Sequence, residues 1–71
     1  MQQIQRKLGD RTRKLRSLKG WSQEEFAAVS GLHRTYIGAV ERGEKNLTVS
    51  TLCTLANTLD TSIAQLFRGI A

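Results

Sequence analysis

The sequence predicts an all-α fold, a compact bundle of five short helices, from three observations. Apolar residues recur three and four apart along most of the chain, and no alternating run suggests a strand. Glycines stand at 20, 31 and 43, where helices would end, and the chain has no proline. Ser22 and Ser62 each have a Glu or Gln three residues on, the spacing of a capping box.

The first helix is predicted over residues 4–19, with Leu8, Leu15 and Leu18 as its apolar stripe. Gly9 is a weak point within it, and Gly20 offers the position just after its end. Ser22 with Glu25 caps a second helix over 23–30, and Trp21 with Phe26 forms its hydrophobic staple. Gly31 stops that helix. A third begins at His33 or Arg34 and ends before Gly43. After the polar loop GEKN (43–46), Thr48 caps a fourth helix, with Leu47 and Leu52 as staple and Leu52, Leu55, Ala56 and Leu59 at helical spacing. Ser62 and Gln65 open a short fifth helix carrying Ile63, Leu66 and Phe67.

At 71 residues the chain is a single domain, 1–71, at the lower end of what folds without staples. Its one cysteine allows no internal disulfide, and no Cys/His cluster could hold a structural metal. Cys53 reads as a small packed side chain. No apolar run approaches the roughly 20 residues of a membrane span. The basic start lacks the apolar core of a secretory signal, so a cytoplasmic setting is expected. One histidine, no paired carboxylates on a shared face and no phosphate-cradling loop argue against an enzyme or a cofactor.

The net charge of +5 is unevenly placed. Arg6, Lys7, Arg11, Arg13, Lys14, Arg16 and Lys19 face only Asp10 in the first twenty residues, whereas Asp60 and Arg68 are the only charges beyond Asn46. Such polarity suits a polyanion at one end and a protein partner at the other.

The segment GLHRTYIGAVERG (31–43) shows what the polyanion would meet. Two short helices joined by a tight turn at Gly31 make a helix-turn-helix over about residues 23–42. Ala27 is small where the third helix crosses it, and Gly31 supplies a positive φ without steric cost. Leu32, Ile37 and Val40 bury the inner face against Phe26. The outer face is left to Arg34, Thr35, Gly38, Ala39 and Arg42. Small residues at 38 and 39 would let the backbone lie deep in a DNA major groove.

The motifs LGDRTRKLRSLKGWSQEEFA, GLHRTYIGAVERG and LCTLANTLDTSIAQLF resemble the Xre/Cro/phage-repressor helix-turn-helix family, a lambda-repressor-like DNA-binding domain, from about Leu8 to Phe67. Within it the chain is most similar to the controller proteins of restriction–modification systems. The resemblance implies a homodimeric transcription regulator on a pseudo-palindromic double-stranded DNA operator. It places Arg34, Thr35 and Ala39 at base-reading positions and Gln23 on a phosphate. Tyr36 would meet the backbone or an adjacent base, and His33, Arg42, Lys45 and Asn46 would meet phosphates. Arg16 and Glu41 match a family ion pair. The chain departs from the family pattern at Ser30, His33 and Asp60, where small apolar, Ser or Thr, and Gly are usual.

Chemistry agrees with these roles. Arginine bonds bidentately to guanine O6 and N7, which discriminates by about 1–3 kcal/mol, and the methyls of Thr35 and Ala39 suit thymine. One helix in one groove reads too few base pairs to find a site among ~10⁶ competitors, so a dimer is expected. Ile63, Phe67 and Ile70 are the candidate interface. Glu24, Glu25 and Glu44 are exposed candidates for contact with RNA polymerase. The rival reading is an antitoxin-like protein-interaction module with secondary DNA binding, which would call for a tail beyond the bundle.

Overall fold

The computed structural model describes residues 2–70, the side chain of Gln2 excepted. Five helices follow in order: α1 (Gln2–Leu18), α2 (Gln23–Ser30), α3 (Arg34–Glu41), α4 (Val49–Thr58) and α5 (Ile63–Leu66). The local start signals act as their chemistry requires. Ser22 accepts from the Glu25 N–H at 3.1 Å while the Glu25 carboxylate accepts from the Ser22 N–H at 2.8 Å. Ser62 and Gln65 repeat the box on α5, and Thr48 caps α4 through the Thr51 N–H at 3.1 Å. After α4 the chain turns through Asp60 at φ 55°, a left-handed position that a short polar side chain tolerates.

Phe26, Ile37, Leu55 and Leu66 are fully buried and form the centre of the core with Leu8, Val40 and Leu59. Trp21 stacks on Phe26, ring centroids 6.1 Å apart, which closes the α1–α2 turn over the core. α1 packs on α3 and α5, α2 on α3 and α4, and α4 on α5, so α3 is wedged between α1 and α2.

Gly9 is where α1 meets α3. A Cβ there would lie 2.4 Å from the Val40 carbonyl oxygen and 2.7 Å from that of Glu41. The weak point of α1 is therefore a backbone-to-backbone seat for the end of α3. Thr12, also fully buried, satisfies its hydroxyl by donating to the Leu8 carbonyl at 2.8 Å.

Three sequence expectations are corrected. Leu18 is 75% exposed, because three residues of helix carry it about 60° past Leu15 and off the packed side. Ile70 is buried in the core, brought back by the left-handed turn at Gly69 (φ 80°), and offers no free surface for a partner. Cys53 is exposed on α4, four residues after Val49, itself 73% exposed.

Candidate nucleic-acid interface

The helix-turn-helix is α2, the turn at Gly31 (φ 76°) and α3. Ser30 has a local use here: its hydroxyl donates to the Ala27 carbonyl and accepts from the Leu32 N–H, both at 3.2 Å, bridging the turn. His33 is the N-cap of α3, and its Nδ1 accepts from the Thr35 N–H at 3.0 Å. An accepting Nδ1 leaves Nε2 as the donor nitrogen of this exposed residue.

Behind α3, Arg16 grips Glu41 with two bonds, Nε to Oε2 at 2.6 Å and Nη2 to Oε1 at 3.0 Å. Its third donor reaches the Trp21 carbonyl at 2.7 Å. Both side chains are withdrawn from water, 13% and 4% exposed. The bond to Glu41 raises the Arg16 pKa above its ordinary value, against the opposing effect of burial. The Gln23 amide adds a bond from Nε2 to Glu41 Oε1 at 3.1 Å. One carboxylate thus joins α1, α2 and α3, with the Gln23 amide engaged by Glu41 while its side chain also lines the outer face beside Arg34 and Arg42.

On the outer side, Arg34 and Arg42 are exposed, yet each lies beside a carboxylate. Arg34 Nη1 is 3.1 Å from Glu24 Oε1. Arg42 holds Glu44 with two bonds, Nε to Oε2 at 2.9 Å and Nη2 to Oε1 at 3.2 Å. That pair draws the Glu44 carboxyl below the usual carboxylate range and raises the Arg42 pKa.

Gly38 and Ala39 do not lie open as predicted. Arg42 folds across Gly38, where a Cβ would come 3.1 Å from Nη1 and 3.6 Å from the Gln23 side-chain oxygen. Ala39 is only 6% exposed. Ala39 lines an open concavity of about 520 Å³ with His33, Thr35, Tyr36, Arg42, Glu44 and Lys45. Tyr36 is half-buried against the core. Lys45 is exposed, and Asn46 accepts a bond from the Gln5 side chain, tying the loop to α1.

Arg34, Thr35, Ala39, Arg42 and Lys45 are therefore brought to one face, beside His33 and Tyr36. Sequence reasoning missed Glu24 and Glu44 as partners of the two arginines. For Glu44 a signal existed, since it follows Arg42 by two residues at a helix end. Among the described residues no group of three His, Cys, Asp or Glu side chains could hold a metal ion. No helix among them is long and apolar enough to cross a membrane.

Comparison with known proteins places this face in context. The helix-turn-helix family profile HTH_3 matches residues 13–66. Control protein C.SmaI of Serratia marcescens is 52% identical over 59 residues, covering 83% of this chain and 70% of the relative. The crystal structure of the restriction–modification controller protein C.AhdI from Aeromonas hydrophila superposes with a TM-score of 0.83 at 47% identity, over 87% of this chain and 94% of that one. The controller protein C.Esp1396I, solved as a tetramer in complex with its natural 35 base-pair operator, matches with a TM-score of 0.83 at 34% identity, over 94% and 88% of the two chains.

Proposed function

The chain belongs to the helix-turn-helix family, beside the controller proteins of restriction–modification systems, and from that premise we propose that it is such a controller, binding an operator as a homodimer. The observation that carries the reading is the face of α3. A buried three-residue network fixes the helix from behind, while Arg34, Thr35 and the Ala39 recess stand together in front.

With α3 in the major groove, the Arg34 guanidinium faces guanine O6 and N7. Thr35 and the Ala39 recess accept thymine methyls. The phosphates on either side meet the His33 Nε2–H, Lys45, and Arg42 once it leaves Glu44. Tyr36 borders the recess and touches the backbone or the neighbouring base. The α2 start contributes its free backbone N–H groups, and Gln23 must turn away from Glu41 to add its own.

Two-fold pairing sets half-site centres about 34 Å apart, or a multiple of that. The dimer face is the exposed apolar surface of α4 and α5, formed by Val49, Cys53, Ile63 and the outer edge of Phe67. Val49→Glu together with Phe67→Glu yields monomers in analytical ultracentrifugation; a persisting dimer places the interface elsewhere.

The experiment for the function is selection of the full chain on a random duplex pool at near-physiological salt. A two-fold symmetric consensus supports the controller reading. Arg34→Ala then costs about 1–3 kcal/mol on that consensus and relaxes one guanine per half-site. An unselective pool whose binding vanishes with salt leaves only counterion release by the basic α1, and a protein-interaction role takes precedence.

A further inference from the structure

The two outward arginines of α3 are paired in different ways, and the difference has a consequence for recognition. A guanidinium offers five N–H donors in a fixed fork. Glu24 lies beside Arg34, its Oε1 3.1 Å from Nη1, and among the described residues no hydrogen bond occupies the Nε–Nη2 edge with its two parallel donors. Glu44 instead occupies that same edge on Arg42, taking Nε at 2.9 Å and Nη2 at 3.2 Å, and leaves Nη1 resting over Gly38. Guanine O6 and N7 need a two-donor edge, and so does a bidentate phosphate. Arg34 can therefore meet a guanine without releasing Glu24. Arg42 can present its Nε–Nη2 edge to a phosphate only by releasing Glu44.

We propose that the two carboxylates divide recognition between them: Glu24 is a positioning residue that steadies Arg34 for guanine and sets sequence discrimination, while Glu44 masks Arg42 and sets affinity for any DNA. The proposal rests on the controller reading above. Its physical basis is competition. A free arginine at a helix start is drawn to the nearest phosphate of any sequence, and a phosphate neighbour repays it without regard to the base. The negative charge of Glu24 repels phosphate and draws the guanidinium from its Nη1 side. Glu44 occupies the Nε–Nη2 edge of Arg42 as an internal stand-in for phosphate. Both pairs are well exposed, at 65% and 71% for Arg34 and Glu24 and 59% and 55% for Arg42 and Glu44, so they exchange readily for a nucleic-acid partner.

The test compares full-length wild type, Glu24→Gln and Glu44→Gln by fluorescence anisotropy across a salt series. The probes are the selected consensus duplex and a shuffled duplex of equal length. Glu44→Gln should tighten both duplexes about equally, by roughly three- to tenfold, with the gain shrinking as salt rises. Glu24→Gln should tighten the shuffled duplex alone, so that the consensus-to-shuffled ratio falls by a similar factor. Replacing the contacted guanine by 7-deazaguanine should weaken wild type more than Glu24→Gln, a readout that a purely structural role would not move. Because both glutamates are exposed, thermal unfolding should not change. A consensus with an unaltered ratio in Glu24→Gln, or shuffled-duplex binding unaltered in Glu44→Gln, overturns this division while the controller reading stands. Absence of any consensus overturns both.

Discussion

The back and the front of α3 carry the same chemistry, a guanidinium beside a carboxylate, and differ in access to water. Behind the helix, Arg16 and Glu41 are largely withdrawn from solvent and multiply bonded, Glu41 by two elements and Arg16 also by the Trp21 carbonyl. In front, Arg34–Glu24 and Arg42–Glu44 are open to water. Breaking a buried pair strands a charge in a place that cannot solvate it, whereas breaking an exposed pair hands each charge back to water. The inner pair therefore fixes where the helix sits, and the outer pairs are free to exchange partners.

The largest expected effect comes from breaking the inner pair. Glu41→Ala leaves the Arg16 guanidinium largely buried with a single carbonyl partner and releases Gln23. It should destabilise the fold by about 3–5 kcal/mol in urea unfolding. Glu24→Gln and Glu44→Gln should stay within roughly 0.5 kcal/mol of wild type in the same measurement. Equal losses on both sides would remove the contrast.

Next in size is the seat beside that pair. A methyl at Gly9 would press into the carbonyls of Val40 and Glu41, which are backbone and cannot rotate aside. Gly9→Ala should cost about 1–3 kcal/mol despite the better helix propensity of alanine. Because the strain falls on the last turn of α3, operator affinity should drop alongside stability. A stabilised Gly9→Ala protein would show that α1 does not hold α3 by close approach.

How much of this could be read from the sequence depends on how local each feature is. Ser22 and Glu25, Thr48, and Gly31 act within four residues of themselves, and their spacing alone predicts the helix starts and the turn. Leu18 satisfied the same spacing but drifted off the packed side, because steps of three accumulate rotation. Ile70 looked like spare apolar surface until the turn at Gly69 folded it into the core. The site divides in the same way. The residues on the outer face follow from helical period, but their partners do not. Gln23 bonds to Glu41 eighteen residues away, and Arg34 meets Glu24 across the turn. Those pairings depend on how α2 and α3 cross and on side-chain rotamers, neither of which a linear pattern encodes. The Arg16–Glu41 pair was legible only through family resemblance; its burial was not.

The smallest expected effect sharpens the comparison in acid. Glu25 has its carboxyl pKa lowered by the bond from the Ser22 backbone N–H and then by the Ser22 side chain. Glu44 is lowered first by the bond from Arg42. A carboxyl depressed in the folded state adds stability that is fully present above its unfolded pKa and is lost as pH falls through its folded pKa. Both contributions should therefore be intact at neutral pH and fade below the ordinary carboxylate range. They differ in what they hold. Protonated Glu25 weakens the cap at the start of α2, an element of the core, whereas protonated Glu44 only frees a surface arginine. Thermal unfolding followed from neutral pH into the acid range should show a slightly shallower acid decline for Glu25→Gln than for wild type, because its share is already gone, and a smaller change in the same direction for Glu44→Gln. A change in Glu44→Gln as large as that in Glu25→Gln would mean that the outer face contributes to the fold as much as the α2 cap does.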